Sequence, residues 1–175
     1  MAVYLETART FMREILGNDF DFLLRMMSDP EVMRYYPVPY AEKDVRELIN
    51  RMRTRYREDG CGLWLLVDRE SGEPLGRVGL LRQHVNGVDE FEIGYMVHRP
   101  FWRQGLATEA ALAVREYAFA ERKLARVISL IRPDNVPSLG VARKLGMEVT
   151  GRAQQAGLDH LVYAVTSSAV SAPAR

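Results

Sequence analysis

The stretch Pro100-Phe101-Trp102-Arg103-Gln104-Gly105-Leu106-Ala107-Thr108 is the part of this 175-residue chain best suited to holding an anion. It joins the end of a strand-like segment to the start of a helix-like one, where backbone N–H groups have no intrahelical partner and the positive end of the helix dipole points outward. Gly105 removes the side chain that would keep a phosphate off the backbone, Ala107 stays small for the same reason, and Arg103 adds a charge beside them. Turn geometry alone also accounts for a glycine there, so spacing leaves both readings open. Walker A spacing is absent, and the absence of Gly-x-Gly-x-x-Gly argues against a dinucleotide-binding fold. His84, His98 and His160 lack metal-ligand spacing, so no metal is expected. Cys61, the single cysteine, has no base adjacent in sequence and is not expected to form a covalent intermediate.

Charge bears on where an anion would sit. Lys plus Arg number 24 against 23 Asp plus Glu, so no overall field draws the chain to nucleic acid or an anionic membrane. The average hides a split: residues 1–59 carry 10 basic and 11 acidic groups, residues 60–98 carry 3 and 6, and residues 99–175 carry 11 and 6. An anionic ligand is therefore expected against the last segment and a cationic one against the middle, where Asp89, Glu90 and Glu92 lie. The run Arg51, Arg53, Arg55, Arg57 is spread around a helix and diluted by Glu47, Glu58 and Asp59, so nucleic-acid binding is not expected. One cysteine excludes a disulfide framework and fits a reducing cytoplasm. No window of 18 apolar residues and no signal-peptide pattern occurs, and membrane association is not expected.

The elements that must position these residues follow from periodicity. Thr10–Arg13 reads as a short strand, and Asn18 or Asp19 as the cap of a helix running to the Asp29-Pro30 break. Val45, Leu48, Ile49, Met52 and Tyr56 recur at helical spacing until Gly60 and Gly62 stop them. Leu63–Val67, Leu75–Gln83 and Glu90–Val97 read as three antiparallel strands, the last two joined by the hairpin signal Asn86-Gly87. A helix is expected from about Gln104 to Glu121, then a buried strand, Arg126–Ile131. The strand-helix-strand route makes residues 90–97 and 126–131 parallel partners. A short helix opens at Pro137-Ser138 and ends at Gly146, and strands near Glu148–Gln154 and Leu161–Thr166 finish the chain. The class is α/β with a mixed, mostly antiparallel sheet. Residues 1–166 are expected to form one domain, and the small polar residues 167–175 a frayed tail.

Three motifs in this order, Glu92-Ile93-Gly94-Tyr95, the 100–110 segment, and Asn135-Val136-Pro137-Ser138 with Arg143-Lys144-Leu145-Gly146-Met147, resemble the GCN5-related N-acetyltransferases. Asp29 to Pro37 is similar to the early helix and loop of the branch that acetylates ribosomal-protein alanine and serine N-termini. The resemblance implies acetyl-coenzyme A as donor, its pyrophosphate on the backbone of Arg103, Gln104, Gly105, Leu106, Ala107 and Thr108. It also implies a wedge where strand 90–97 splays from strand 126–131, with pantetheine paired to backbone groups of Met96 and Val97. Lys144 and Arg143 are candidates for the nucleotide 3′-phosphate.

Acetyl transfer to an amine needs a neutral amine, a donor for the developing oxyanion and a proton for the leaving thiolate. Glu92, beside the implied thioester, is the candidate base, acting directly or through water; its alternative is a solvated strand carboxylate. Asn135 and Ser138 are candidates to reach pantetheine or sulfur, and equally suited to cap a helix. The tyrosine acid that many relatives place after the asparagine is missing from Val141-Ala142-Arg143, leaving Ser138 or water. A backbone N–H near Met96 or Val97 is the oxyanion donor, and Trp102 stands where wider relatives use Gln or Arg. Tyr35, Tyr36, Tyr40 and Trp64 are candidate walls of an acceptor pocket. The expected reaction is direct attack in a ternary complex, on a protein N-terminus or on a small amine such as an amino acid, polyamine or aminoglycoside. The rival is a non-catalytic coenzyme A-binding module, and a homodimer is compatible with either.

Overall fold

A computed structural model describes residues 3–168; positions 169–175 of the expected tail lie outside the described residues. The strands are β1 (Val3–Glu6), β2 (Thr10–Arg13), β3 (Leu63–Asp68), β4 (Pro74–Val85), β5 (Val88–Val97), β6 (Arg126–Ile131), β7 (Glu148–Gln155) and β8 (Leu158–Thr166). The helices are α1 (Phe20–Met27), α2 (Glu42–Glu58), α3 (Leu106–Ala120) and α4 (Val136–Lys144). The strands form one sheet in the order β1-β2-β3-β4-β5-β6-β8-β7. Every pairing is antiparallel except β5 with β6, as the crossover through α3 requires. β1, which the sequence reading left out, is a four-residue edge strand paired with β2.

Asn86 and Gly87 both take positive φ, 50° and 83°, the geometry that a two-residue hairpin demands, and β4 and β5 pair in unbroken register from Gly76 and Val97 to Val85 and Val88. That register sets Arg77 opposite Met96 and Leu81 opposite Glu92, so these four side chains share one face of the sheet. α2 covers part of that face: Tyr56 donates its hydroxyl to the Leu63 carbonyl, and the Leu63 amide meets the Met52 sulfur at 3.3 Å. The opposite face carries Trp64, fully buried between Tyr4 and Tyr117 of α3, with ring centroids 5.3 and 5.7 Å away. Ala110, Ala111, Val114 and Ala118 are buried on α3, and small residues let it lie close to the sheet. Trp64 is thus core, contrary to its expected place in an acceptor pocket.

Two helix starts differ from expectation. Residues 17–19 form a 3₁₀ turn before α1, and the Asp19 carboxylate accepts from the Leu16 amide and both Nη atoms of Arg13, each at 2.7 Å, instead of capping α1. α3 begins at Leu106, not Gln104, because Arg103 and Gly105 adopt φ of 62° and 79°, which no right-handed helix accommodates.

Asp19 is 6% exposed, so truncating it strands the Arg13 guanidinium. Asp19→Ala is expected to lower unfolding free energy by about 3–5 kcal/mol in urea denaturation; a loss under about 1 kcal/mol would mean the pair is dispensable.

Candidate active site

β6 meets β5 at one matched pair, Glu92 with Ile128, and then the strands part. Beyond it the Ser129 hydroxyl donates to the Ile93 carbonyl at 2.8 Å, and the parted strands border a cleft of about 560 Å³. The antiparallel ladder decides which β5 groups look into it. The His98 amide donates to the Leu75 carbonyl at 2.8 Å, which fixes the phase: the amide and carbonyl of Met96 turn to β4, those of Tyr95 and Val97 to the cleft. Gly76 keeps this approach open, since a Cβ there would lie 2.2 Å from the Met96 carbonyl. The Val97 carbonyl is taken by the Trp102 indole N–H at 2.7 Å. Backbone donors facing the cleft are therefore the amides of Tyr95 and Val97; of the Met96 and Val97 groups expected to pair there, those of Met96 turn to β4 instead.

Over its whole length the 103–108 loop lines the cleft. Among the described residues its six amides donate to no protein acceptor. Left-handed backbone at Arg103 and Gly105 folds successive N–H groups into a concavity at the positive end of α3, the arrangement that holds phosphate oxygens. Arg9 braces it from outside, donating through Nη1 to the Gln104 carbonyl at 2.9 Å and through Nε to Glu109 at 2.7 Å. Burial works against the Glu109 charge, but hydrogen bonds from Thr7 and Arg9 hold its carboxyl below the usual range. At the far side Asn135 accepts the Ser138 amide at 3.2 Å and so caps α4, while Tyr95 donates to the Ser138 carbonyl at 2.8 Å.

A second cavity of about 620 Å³ lies beside the first and shares Glu92, Tyr35, Tyr36, Tyr95 and Asn135 with it. The Glu92 carboxylate stands where the two meet, accepting from Gln83 Nε2 at 2.8 Å and from the Leu130 amide. Burial pushes its pKa up, opposed by those hydrogen bonds and by Arg77 and Arg55. A carboxylate moved toward neutrality is a better base for a proton leaving an ammonium group than a solvated one.

The acetyltransferase (GNAT) domain family matches residues 9–148. The chain belongs to the GNAT acetyltransferases. It is 38% identical over 122 residues, 70% of its length and 71% of the relative's, to YkkB of Bacillus subtilis, a protein described as uncharacterized. It is 27% identical over 143 residues, 80% of its length and 73% of the relative's, to the spermidine N(1)-acetyltransferase of Escherichia coli. The acetyltransferase structure from Agrobacterium tumefaciens superposes with a TM-score of 0.83 at 25% identity, covering 95% of each chain. The coenzyme A complex of RimL, a ribosomal alpha-N-protein acetyltransferase, shares the fold with a TM-score of 0.77 at 17% identity, covering 96% of this chain and 99% of the other.

In this GNAT cleft the structure brings together Glu92, Met96, Val97, Arg103 through Thr108, Asn135, Ser138, Lys144, Tyr35 and Tyr36, all of them lining residues. Tyr40 lines only the second cavity, and Arg143 lines neither. The acidic middle does not gather at the acceptor side as expected: Asp89 is bound by Arg82 and His84 on the surface, and Glu90 faces Arg126 at 3.4 Å. Gln83, Tyr95, Arg77 and the Arg9–Glu109 brace were not anticipated. Arg77 alone left a trace in the sequence, as the one charge inside the apolar run Leu75–Leu81.

Gly105→Ala forces φ of 79° on a residue with a Cβ, whose nearest contact is the flexible tip of Arg9 at 3.6 Å, so the cost is in the backbone alone. Thermal denaturation should register a loss of about 1–2 kcal/mol, and titration calorimetry a coenzyme A affinity at least about tenfold lower; unchanged affinity would free the loop from the phosphate role.

Proposed function

We propose that this GNAT protein transfers the acetyl group of acetyl-coenzyme A to a primary amine by direct attack in a ternary complex, with Glu92 receiving the amine proton. The observation that carries the reading is the position of Glu92, a half-buried carboxylate at the meeting point of two cavities. One has the backbone amides and cations that a nucleotide thioester requires, and the other is large enough for an acceptor. A module that only held coenzyme A would have no use for the second cavity or for a base placed between the two.

The residues fit the co-substrate on grounds internal to the fold. Six amides at 103–108, unpaired among the described residues, suit a pyrophosphate, and Arg103 and Lys144 on the cleft wall supply charge for phosphates. Acetyl-coenzyme A contributes an acyl group already activated as a thioester; the remaining tasks belong to the chain. The amides of Tyr95 and Val97, aimed into the cleft, support a pantetheine amide and the acyl oxygen, and a fixed donor of that kind is worth about 10²–10³ in rate. The Asn135 oxygen is spent on the α4 cap, which leaves its Nδ2 group as the donor toward pantetheine. The Ser138 hydroxyl, or a water beside it, supplies the proton for the thiolate. Tyr35 and Tyr36 lie on the shared wall and exclude solvent from the junction. A reducing cytoplasm suits the buried Cys61, whose thiol burial pushes up and away from the reactive thiolate form.

Two measurements test the reading. Glu92→Gln should lower kcat by about 10²–10⁴ with coenzyme A affinity kept. In the wild type kcat should fall as pH drops through the raised Glu92 pKa, and the variant should lack that acid limb; identical profiles would remove Glu92 from proton transfer. Cys61→Ala should turn over at wild-type rate, and its inactivation in a folded protein would contradict direct attack.

A further inference from the structure

The second cavity holds a cation with no counterpart. Arg77 projects from the middle of β4 and is 6% exposed, and its Nε has no hydrogen-bond partner. No carboxylate lies within ion-pair distance of it among the described residues. Its guanidinium stands against the Tyr36 hydroxyl, whose ionised form it favours against burial, and acts on Glu92 through space. Arg55 and Arg132, on the same lining, differ: Arg55 donates to the Arg82 carbonyl at 2.7 Å, and Arg132, whose Nε also lacks a hydrogen bond, has the Asp134 carboxylate as a counterion at 3.7 Å. Among the described residues the cavity thus has several guanidinium groups on its wall and Glu92 as its only carboxylate.

Burying a guanidinium without a counterion is costly, and a fold keeps such a group when something outside the fold pairs with it. An apolar residue of the same length would fill the site between Leu65 and Met96, Arg77's cross-strand neighbours, more stably. Resting on the acetyl-transfer reading above, we propose that the acceptor is a small amphoteric amine, one that carries a carboxylate or phosphate along with its amino group. Its nitrogen goes to Glu92 and its anionic group to Arg77, whose planar fork matches either oxyanion in two hydrogen bonds. Glu92 and Arg77 point to the same face of the sheet and interact through space without forming an ion pair, which leaves room for a molecule that bridges them. A polyamine would bring two or more cations to a wall already rich in guanidinium groups, and that wall opposes it.

The test is a matched acceptor panel, read as thiol release from acetyl-coenzyme A. Free amino acids and aminoalkyl phosphonates are set against the same amines without the acidic group, against spermidine, and against a peptide amide with a free N-terminus. The anion-bearing amines should exceed their decarboxylated counterparts in kcat/KM by about 10²-fold or more, since a buried cation left unpaired penalises the analogue. The carboxylate and phosphonate arms tell which anion Arg77 prefers. Arg77→Met should erase the preference, leave coenzyme A affinity intact, and match or raise the melting temperature. Arg77→Lys should restore part of the preference without the two-pronged geometry. Equal or better turnover of spermidine, of the decarboxylated amines or of the peptide amide overturns the proposal while leaving acetyl transfer standing, as does a preference that survives in both Arg77 variants. Acetylation of no amine at all by a protein that binds coenzyme A overturns the acetyl-transfer reading, and this proposal with it.

Discussion

Backbone N–H and C=O groups inside a folded protein must find partners, and a sheet satisfies them strand by strand. β5 and β6 break that pattern: after the Glu92–Ile128 pair the ladder stops, and the amides of Tyr95 and Val97 face a cleft. Everything else in the molecule is arranged around that interruption. The parallel crossover brings the N-terminus of α3 and the capped start of α4 to the same gap, so that unpaired amides from β5 and from the loop before α3 converge on a volume that Asn135 and Ser138 also line. Side chains hold the opening in place, with Ser129 bonded to the Ile93 carbonyl, Tyr95 to the Ser138 carbonyl and Trp102 to the Val97 carbonyl. A GNAT domain is in this sense a sheet that keeps some of its main-chain hydrogen bonds for a ligand.

The charges are divided between the two cavities. Toward the co-substrate the loop offers amides and Arg103, and α4 offers Lys144, in keeping with the basic last segment of the chain. Toward the acceptor, the acidic character of residues 60–98 dissolves once folded, because Asp89 and Glu90 are paired at the surface. Glu92 alone of them lines the cavity, where burial raises its pKa above the ordinary carboxylate value. A local charge sum describes which residues are neighbours in sequence; the field in a cavity depends on which of them the register turns inward.

Much of the fold was legible in the sequence because its signals were local. Asn86-Gly87 dictated a hairpin, the spacing of Val45 to Tyr56 dictated α2, and the 90–131 crossover dictated the parallel pair. The residues that line the cleft were legible through the resemblance, since three motifs on separate elements name the same volume. What escaped was non-local. β1 is an edge strand whose four residues carry no pattern of their own and exist by pairing with β2. The start of α3 was misjudged because positive φ at Arg103 belongs to no residue preference. Trp64 looked like a pocket aromatic until the sheet placed it under α3, and the Met96 pairing failed on ladder phase, a property of β4 and β5 together.

The direct test of this account is an amide-resolved NMR titration of the ¹⁵N-labelled protein with coenzyme A. The account predicts that the amides of residues 103–108, Tyr95 and Val97 shift and become protected from exchange at a common dissociation constant, with the Met96 amide already protected beforehand. Saturable binding that leaves the 103–108 amides unmoved would contradict it, because the nucleotide would then be held somewhere other than the gap between β5 and β6.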